Sequence, residues 1–252
     1  MRRNLMSCCL ILLLLPAVPA AGGTILNTLQ GYDDDVAGWS GGVDGLFSGS
    51  GGNTERILVS AGARLQWRGG ADRVRLQGSA EYEESRQEVT ARNLVVHLRH
   101  NHDVGDRWAT VAFVQRQSNP FQRLTSRWLL GAGLRRDVVD NERGNVSVGA
   151  TPMLEIEQLE GESGHLSRGR MSVFVHVERD LTEGLQLDVT GFWQPLFADL
   201  DNWRAVGNAA LTVDLGGKVE LTSGLSVEDN AAAPEGVKQT DWRTYAGLEI
   251  EF

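Results

Sequence analysis

From about residue 54 onward the chain alternates apolar and polar positions with a period of two, the signature of strands that face two different environments. Ile57, Val59, Ala61, Ala63, Leu65 and Trp67 share one face, and Ser60, Gly62, Arg64 and Gln66 share the other. The rhythm repeats in Val74, Leu76, Gly78, Ala80 and Tyr82, in Trp128, Leu130, Ala132 and Leu134, and in Val146, Val148, Ala150, Pro152 and Leu154. It returns in Met171, Val173, Val175 and Val177, and in Val219, Leu221, Ser223, Leu225 and Val227. The alternation predicts about twelve strands, at roughly 36–48, 54–67, 73–83, 89–100, 107–116, 123–136, 144–156, 168–179, 184–195, 202–214, 217–228 and 241–252. Each is near or above the about 9–11 residues that a tilted strand needs to cross a bilayer. Strands of a soluble sandwich are shorter, about 5–6 residues in the commonest case. The expectation is an all-β chain, a closed antiparallel transmembrane β-barrel of about 12 strands. An even number brings both ends of the wall to one side.

Connections and tryptophans give two further readings. With the first strand entering from the periplasm, the periplasmic connections at 68–72, 180–183 and 215–216 are short. The opposite set, 157–167 and 229–240, is longer and rich in Gly, Glu, Asp and Asn. Short inner turns with long outer loops are the pattern of bacterial barrels. The connection 137–143 departs from it, being long on the periplasmic side. Trp39, Trp67 and Trp108 fall near predicted periplasmic strand ends, and Trp128, Trp193, Trp203 and Trp242 toward outer ends. Indole favours the headgroup level of a membrane, so two girdles are expected.

The N-terminus reads as an export signal. Arg2 and Arg3 precede an apolar run from Cys8 to Leu15, and Val18-Pro19-Ala20 offers a cleavage site. The expected organisation is a signal peptide at 1–20, a periplasmic tether at 21–35 and the barrel at 36–252. Cleavage removes both cysteines, Cys8 and Cys9, and lowers the formal charge of −9 by the two arginines to −11. An acidic chain of this kind is not a nucleic-acid binder. The expected home is the outer membrane of a Gram-negative bacterium, with membrane lipid as partner; the sequence leaves oligomeric state open.

Tyr245, Gly247, Ile250 and Phe252 resemble the C-terminal assembly signal of outer-membrane barrels. That resemblance implies delivery by periplasmic chaperones and folding by the barrel assembly machinery. From about Gly38 to Phe252 the chain resembles the YdiY-like family, domain of unknown function 481. The features that carry this are Gly51-Gly52-Asn53-Thr54 entering the second strand, Trp67 closing it, Arg127 followed by Gly131 and Gly133, and the loop from Asn230 through Pro234 and Gly236 to Asp241. The resemblance implies a barrel in the outer membrane and supplies no catalytic residues.

Candidate chemistry is sparse. Asp33-Asp34-Asp35 read as a solvated acidic tether, since the spacing of a calcium loop is missing. His97, His100 and His102 read as an exposed polar turn beside Asp103, with no fourth metal ligand to name. A membrane lipid hydrolase would need a serine and a histidine in contact; only Ser163 and His165 come near that. No catalytic residue, metal ligand or cofactor is therefore expected. The alternation points Arg64, Arg75, Glu81, Arg99, Arg135, Glu155, Arg170, Glu178, Glu220, Arg243 and Glu249 inward. Their signs are mixed, which suits either a narrow charge-lined pore or a barrel filled and braced by ion pairs. The expected function is non-enzymatic: envelope integrity or a narrow passive pore. The alternatives are a binding or adhesion barrel acting through loops 157–167 and 229–240 and, more remotely, the hydrolase.

Overall fold

The computed structural model describes residues 37–51, 55–217 and 219–251. The expected signal and tether, Asp33-Asp34-Asp35 and Phe252 lie outside them, as do the side chains of Glu249 and Ile250. Twelve strands are present: β1 (Gly38–Ser50), β2 (Arg56–Gly69), β3 (Asp72–Ser85), β4 (Glu88–Asp103), β5 (Trp108–Asn119), β6 (Leu124–Asn141), β7 (Gly144–Leu159), β8 (Leu166–Thr182), β9 (Leu185–Pro195), β10 (Trp203–Gly216), β11 (Val219–Asn230) and β12 (Thr240–Glu251). Each pairs antiparallel with its neighbours in sequence, and together they make one curled sheet. β1 and β12 meet antiparallel at Gly42 with Glu251 and at Val43 with Ile250. That is a short seam beside the β11–β12 ladder, which runs from Asp229–Thr240 to Val219–Ile250.

The connections differ between the two ends of the sheet. At one end the β2–β3, β6–β7 and β8–β9 turns are two residues each, at 70–71, 142–143 and 183–184, and the β4–β5 link is four, at 104–107. Gly70 (φ +60°) and Gly184 (φ +74°) supply the left-handed backbone that such tight turns require. At the other end the β3–β4 turn is also two residues, at 86–87, but the links at 160–165, 196–202 and 231–239 are longer. The link after β5 is a single 3-10 turn, Pro120–Gln122, whose amides donate to the Asn119 side chain at 3.1 and 3.2 Å. The anomalous long connection at 137–143 disappears, because β6 and β7 run to Asn141 and from Gly144. Loops 157–167 and 229–240 shorten for the same reason. The ladder continues past the length that crosses hydrocarbon, since its backbone bonds form in water as well.

The two faces of the sheet differ in chemistry. Val96, Leu98, Leu130, Leu134, Val148, Leu154, Val173, Val175, Val189 and Leu211 project from the convex face and are exposed. The alternate positions are buried, and most are polar: Gln66, Arg75, His97, Arg99, Asn101, Gln115, Thr151, Glu155, Arg170, Thr190 and Asn208. This inverts the usual arrangement of apolar interior and polar surface. Buried side chains reach across non-adjacent strands; the Arg99 guanidinium on β4 stands 5.6 Å from the Phe174 ring on β8. The buried face is therefore the concave one. The tryptophans sit near strand ends, with Trp39 opposite Trp67 in the register and Trp108 opening β5. Trp193, Trp203 and Trp242 lie at the loop end.

Candidate functional site

The concave face of the sheet is packed unevenly from strand to strand. Phe113, Met153, Phe174 and Phe192, from β5, β7, β8 and β9, point inward. The Phe174 and Phe192 rings are 5.8 Å apart and enclose Val206 with them, while His97 stacks on Phe113 at 5.3 Å. Glycines on the same arc make room for these rings. A Cβ at Gly131 would lie 2.6 Å from the Phe113 ring, and one at Gly149 would collide with Phe174. On the opposite arc, β11–β12–β1–β2–β3, many inward positions at mid-height are small, Thr222, Gly224, Gly247, Gly42, Ser60, Gly62 and Ser79, but Tyr245 lies over Gly224 and Arg64 and Gln77 stand level with Gly42.

Toward the loop end the bulky arc carries a five-residue charge network. Glu157 Oε2 accepts from Arg127 Nε (2.8 Å), Arg127 Nη2 (2.6 Å) and Arg204 Nη2 (2.9 Å). Glu155 Oε2 accepts from Arg170 Nε at 3.2 Å and from Arg204 Nη1, and lies 3.6 Å from Arg127 Nε. Arg170 also donates to the carbonyls of Gln194 (2.9 Å) and Asn202 (3.1 Å) and to Asn202 Oδ1 (3.0 Å). Glu155 and Arg170 are both 0% exposed. Strand alternation brings these groups together, because Arg127, Glu157 and Arg170, Met153 are register partners and Arg204 follows from β10 through Gln194.

Above this network opens a cavity of about 430 Å³, lined among others by Arg123, Arg127, Glu157, Arg204, Glu228 and Lys238. A neighbouring cavity of about 360 Å³ reaches Glu81, Asn93 and Arg243. Val237 and Lys238 from the β11–β12 connection line both. At the edge of the second cavity Arg243 Nη1 donates to Glu81 Oε2 at 2.9 Å, joining β12 to β3 across the seam strands.

Toward the short-turn end the charges are arranged differently. Arg64, Arg73, Arg75, Arg99 and Arg135 stand on β2, β3, β4 and β6, and Glu178, Asp188 and Glu220 on β8, β9 and β11. Arg75 donates to Gln66 Oε1 at 2.8 Å and Arg135 to Asp137 Oδ1 at 2.8 Å. The mixture of signs in the sequence thus resolves, at the loop end, into direct pairing of arginine with glutamate.

The eleven charges expected inward sort as follows. Arg75, Arg99, Arg135, Glu155 and Arg170 are buried, Arg64, Glu81, Glu178, Glu220 and Arg243 are half-buried, and the Glu249 side chain is not among those described. Arg127, Glu157 and Arg204 join the inward charges, and alternation from Arg135 and Glu155 accounts for the first two. His100 and His102 converge on Asp72 Oδ1 at 2.8 and 2.9 Å, a carboxylate on β3 that the sequence reading had left out. Ser163 and His165 are both exposed in the β7–β8 connection. A different trio, His176, Glu178 and Asp188, gathers inside the lumen.

The family described as "Protein of unknown function, DUF481" matches residues 45–252. Among solved structures the chain is similar to the NanC porin, with a TM-score of 0.51 at 11% identity over 84% of this chain and 98% of that one. It is also similar to the translocator domain of the autotransporter NalP from Neisseria meningitidis, with a TM-score of 0.50 at 12% identity over 86% and 90%. Identities this low speak for the fold alone. No curated protein matches the sequence.

Proposed function

The chain belongs to the DUF481 family, and from its curled sheet, apolar exterior and polar interior we propose that it is a non-enzymatic β-barrel of the Gram-negative outer membrane, closed along the β1–β12 seam, that passes small polar solutes through a narrow lumen. The observation that carries this reading is the uneven filling of the interior. Aromatic and arginine side chains fill one arc, whereas glycine, serine and threonine predominate on the other, interrupted by Tyr245, Arg64 and Gln77, so a narrow passage follows the small-residue arc. Arg64 and Arg75 flank that passage on one side and Glu220 on the other, with Glu81 and Arg243 at its outer mouth. The remaining inward charges brace the wall. The apolar convex face meets lipid, and the long connections face outward, as in bacterial barrels. The tests are fractionation with the outer membrane, heat-modifiable electrophoretic mobility and single-channel recording of the refolded protein. A small, stable conductance is expected, reduced in Ser60→Phe when that variant migrates as folded. Conductance no greater than bare lipid would overturn the pore and leave a bracing role.

A second reading, a binding barrel, draws on the β11–β12 connection, whose Val237 and Lys238 line both outer cavities. Deleting 232–238 would abolish cell-surface ligand capture under that reading and leave conductance in place.

A further inference from the structure

β8 and β9 place three potential metal ligands on the lumenal face near the short-turn end. The ladder pairs His176 with Thr190 and Glu178 with Asp188. One donor atom each from His176, Glu178 and Asp188 lies within 4.8 Å of the others. From this geometry we infer that the barrel holds a divalent transition-metal ion, of the zinc or manganese kind, between these three side chains. The inference stands apart from the pore reading, because binding is measured without conduction.

The hydrogen bonds around the trio leave the right atoms facing one another. Thr190 Oγ1 has a single hydrogen, which it donates to Asp188 Oδ1 at 3.3 Å. His176 Nδ1, 2.9 Å from that same oxygen, must then be the protonated nitrogen. This tautomer leaves a lone pair on Nε2, which lies 4.0 Å from Glu178 Oε2. The other oxygen of Glu178 is 3.4 Å from Gln186 Nε2, and Asp188 Oδ2 is 3.6 Å from His176 Nδ1. Each of the three thus has one atom held by an outer hydrogen bond, as ligating side chains commonly do, and a turn of the imidazole brings Nε2 toward Asp188 Oδ2.

Two further observations ask for a cation there. Asp188 is 5% exposed, and its partners are Thr190 and His176, neither an arginine nor a lysine. A buried carboxylate with no arginine or lysine beside it is costly, and a metal ion offsets that cost directly. Ser147, 0% exposed and opposite His176 on β7, has a hydroxyl with no hydrogen-bond partner. It stands on the same inward face as a fourth oxygen. Donors around a shared zinc are about 3.5 Å apart, given bonds of about 2.0–2.2 Å, so small side-chain rotations close the set. One imidazole with two carboxylates suits zinc or manganese, whereas calcium takes oxygen ligands alone.

The test uses the refolded full-length barrel in detergent, dialysed against zinc chloride and, separately, manganese chloride. One zinc per chain at micromolar concentration is expected, with a rise in unfolding temperature. Asp188→Asn and His176→Gln, each checked for heat-modifiable mobility, should weaken binding more than tenfold. A His100→Ala/His102→Ala double variant controls for the exterior pair on Asp72 and should bind as the parent does. Absence of stoichiometric binding of either metal overturns the inference. So does binding that survives Asp188→Asn and His176→Gln but is lost with His100 and His102.

Discussion

Replacing Glu155 with alanine asks how dry the lumen is. Glu155 is 0% exposed and faces three guanidinium groups, Arg170, Arg204 and Arg127. Its removal leaves Arg170 with only the neutral acceptors of Gln194 and Asn202. Arg127 and Arg204 then share the single carboxylate of Glu157. Three buried positive charges against one negative is the situation in which breaking a buried pair costs about 3–5 kcal/mol. Replacing Glu155 together with Arg170, as Glu155→Leu/Arg170→Met, removes one charge of each sign and restores the original excess of one positive. Buried pairs exchanged for apolar groups of similar size are often neutral. The double variant should therefore be more stable than Glu155→Ala despite carrying one more substitution. Urea titration of the refolded protein in lipid vesicles, followed by tryptophan fluorescence, measures all three. A loss below about 1 kcal/mol in the single variant would refute the reasoning, because water would then be solvating the guanidinium groups as it does at a surface. Equal losses in single and double variants would refute the coupling.

Other expectations concern the seam, the lipid face and the glycines. Arg243 and Glu81 have side chains 39% and 10% exposed, so screening limits their coupling to about 0.5–1 kcal/mol. A double-mutant cycle with Arg243→Gln and Glu81→Gln should find that coupling at low salt and lose it near 1 M; coupling indifferent to salt would argue against an ion pair across the seam. Val175→Arg puts a charge on the exposed convex face and should cost about 2–4 kcal/mol in vesicles; stability equal to the parent's would mean that this face does not meet lipid. Gly133→Ala should cost about 1–3 kcal/mol, since its Cβ would lie 2.6 Å from the Thr151 Cα and meet the Ala150 carbonyl, backbone that cannot step aside. Gly207→Ala, with nothing within 4 Å, should be close to neutral, and similar losses at both glycines would disprove the steric account.

The strands were legible because each inward or outward position faces its own environment, and that requirement writes a period of two into the sequence. Both the number of strands and the in-or-out sense of Arg75, Glu155 and Arg170 follow from local pattern alone. Strand ends follow less well, since β6 continues to Asn141 beyond any apolar requirement. Partnerships across the lumen are invisible to the pattern: Arg243 and Glu81 are 162 residues apart and lie on strands that are not neighbours. The Glu178–Asp188 pairing was hidden by one irregularity. A two-residue turn at 183–184 pairs Thr182 with Leu185, and unbroken register from there would place Glu178 opposite Val189. The bulge between Asp180 and Thr182 shifts the ladder by one and brings Asp188 opposite Glu178 instead. Leu185, Leu187 and Val189 already required that shift, because they cannot share a face with Glu178 and still present apolar groups outward.

At the loop end of the sheet, arginines and glutamates lie within hydrogen-bonding reach, so their fields cancel over a few ångströms and the gain is mechanical: β6, β7, β8 and β10 are tied together. Arg204 on β10 reaches both carboxylates of β7 and so bridges β8 and β9, strands that lie between the two in the ladder. The curvature of the sheet is therefore fixed there by side chains as well as by backbone bonds, and removing Glu155 loosens both kinds of tie at once.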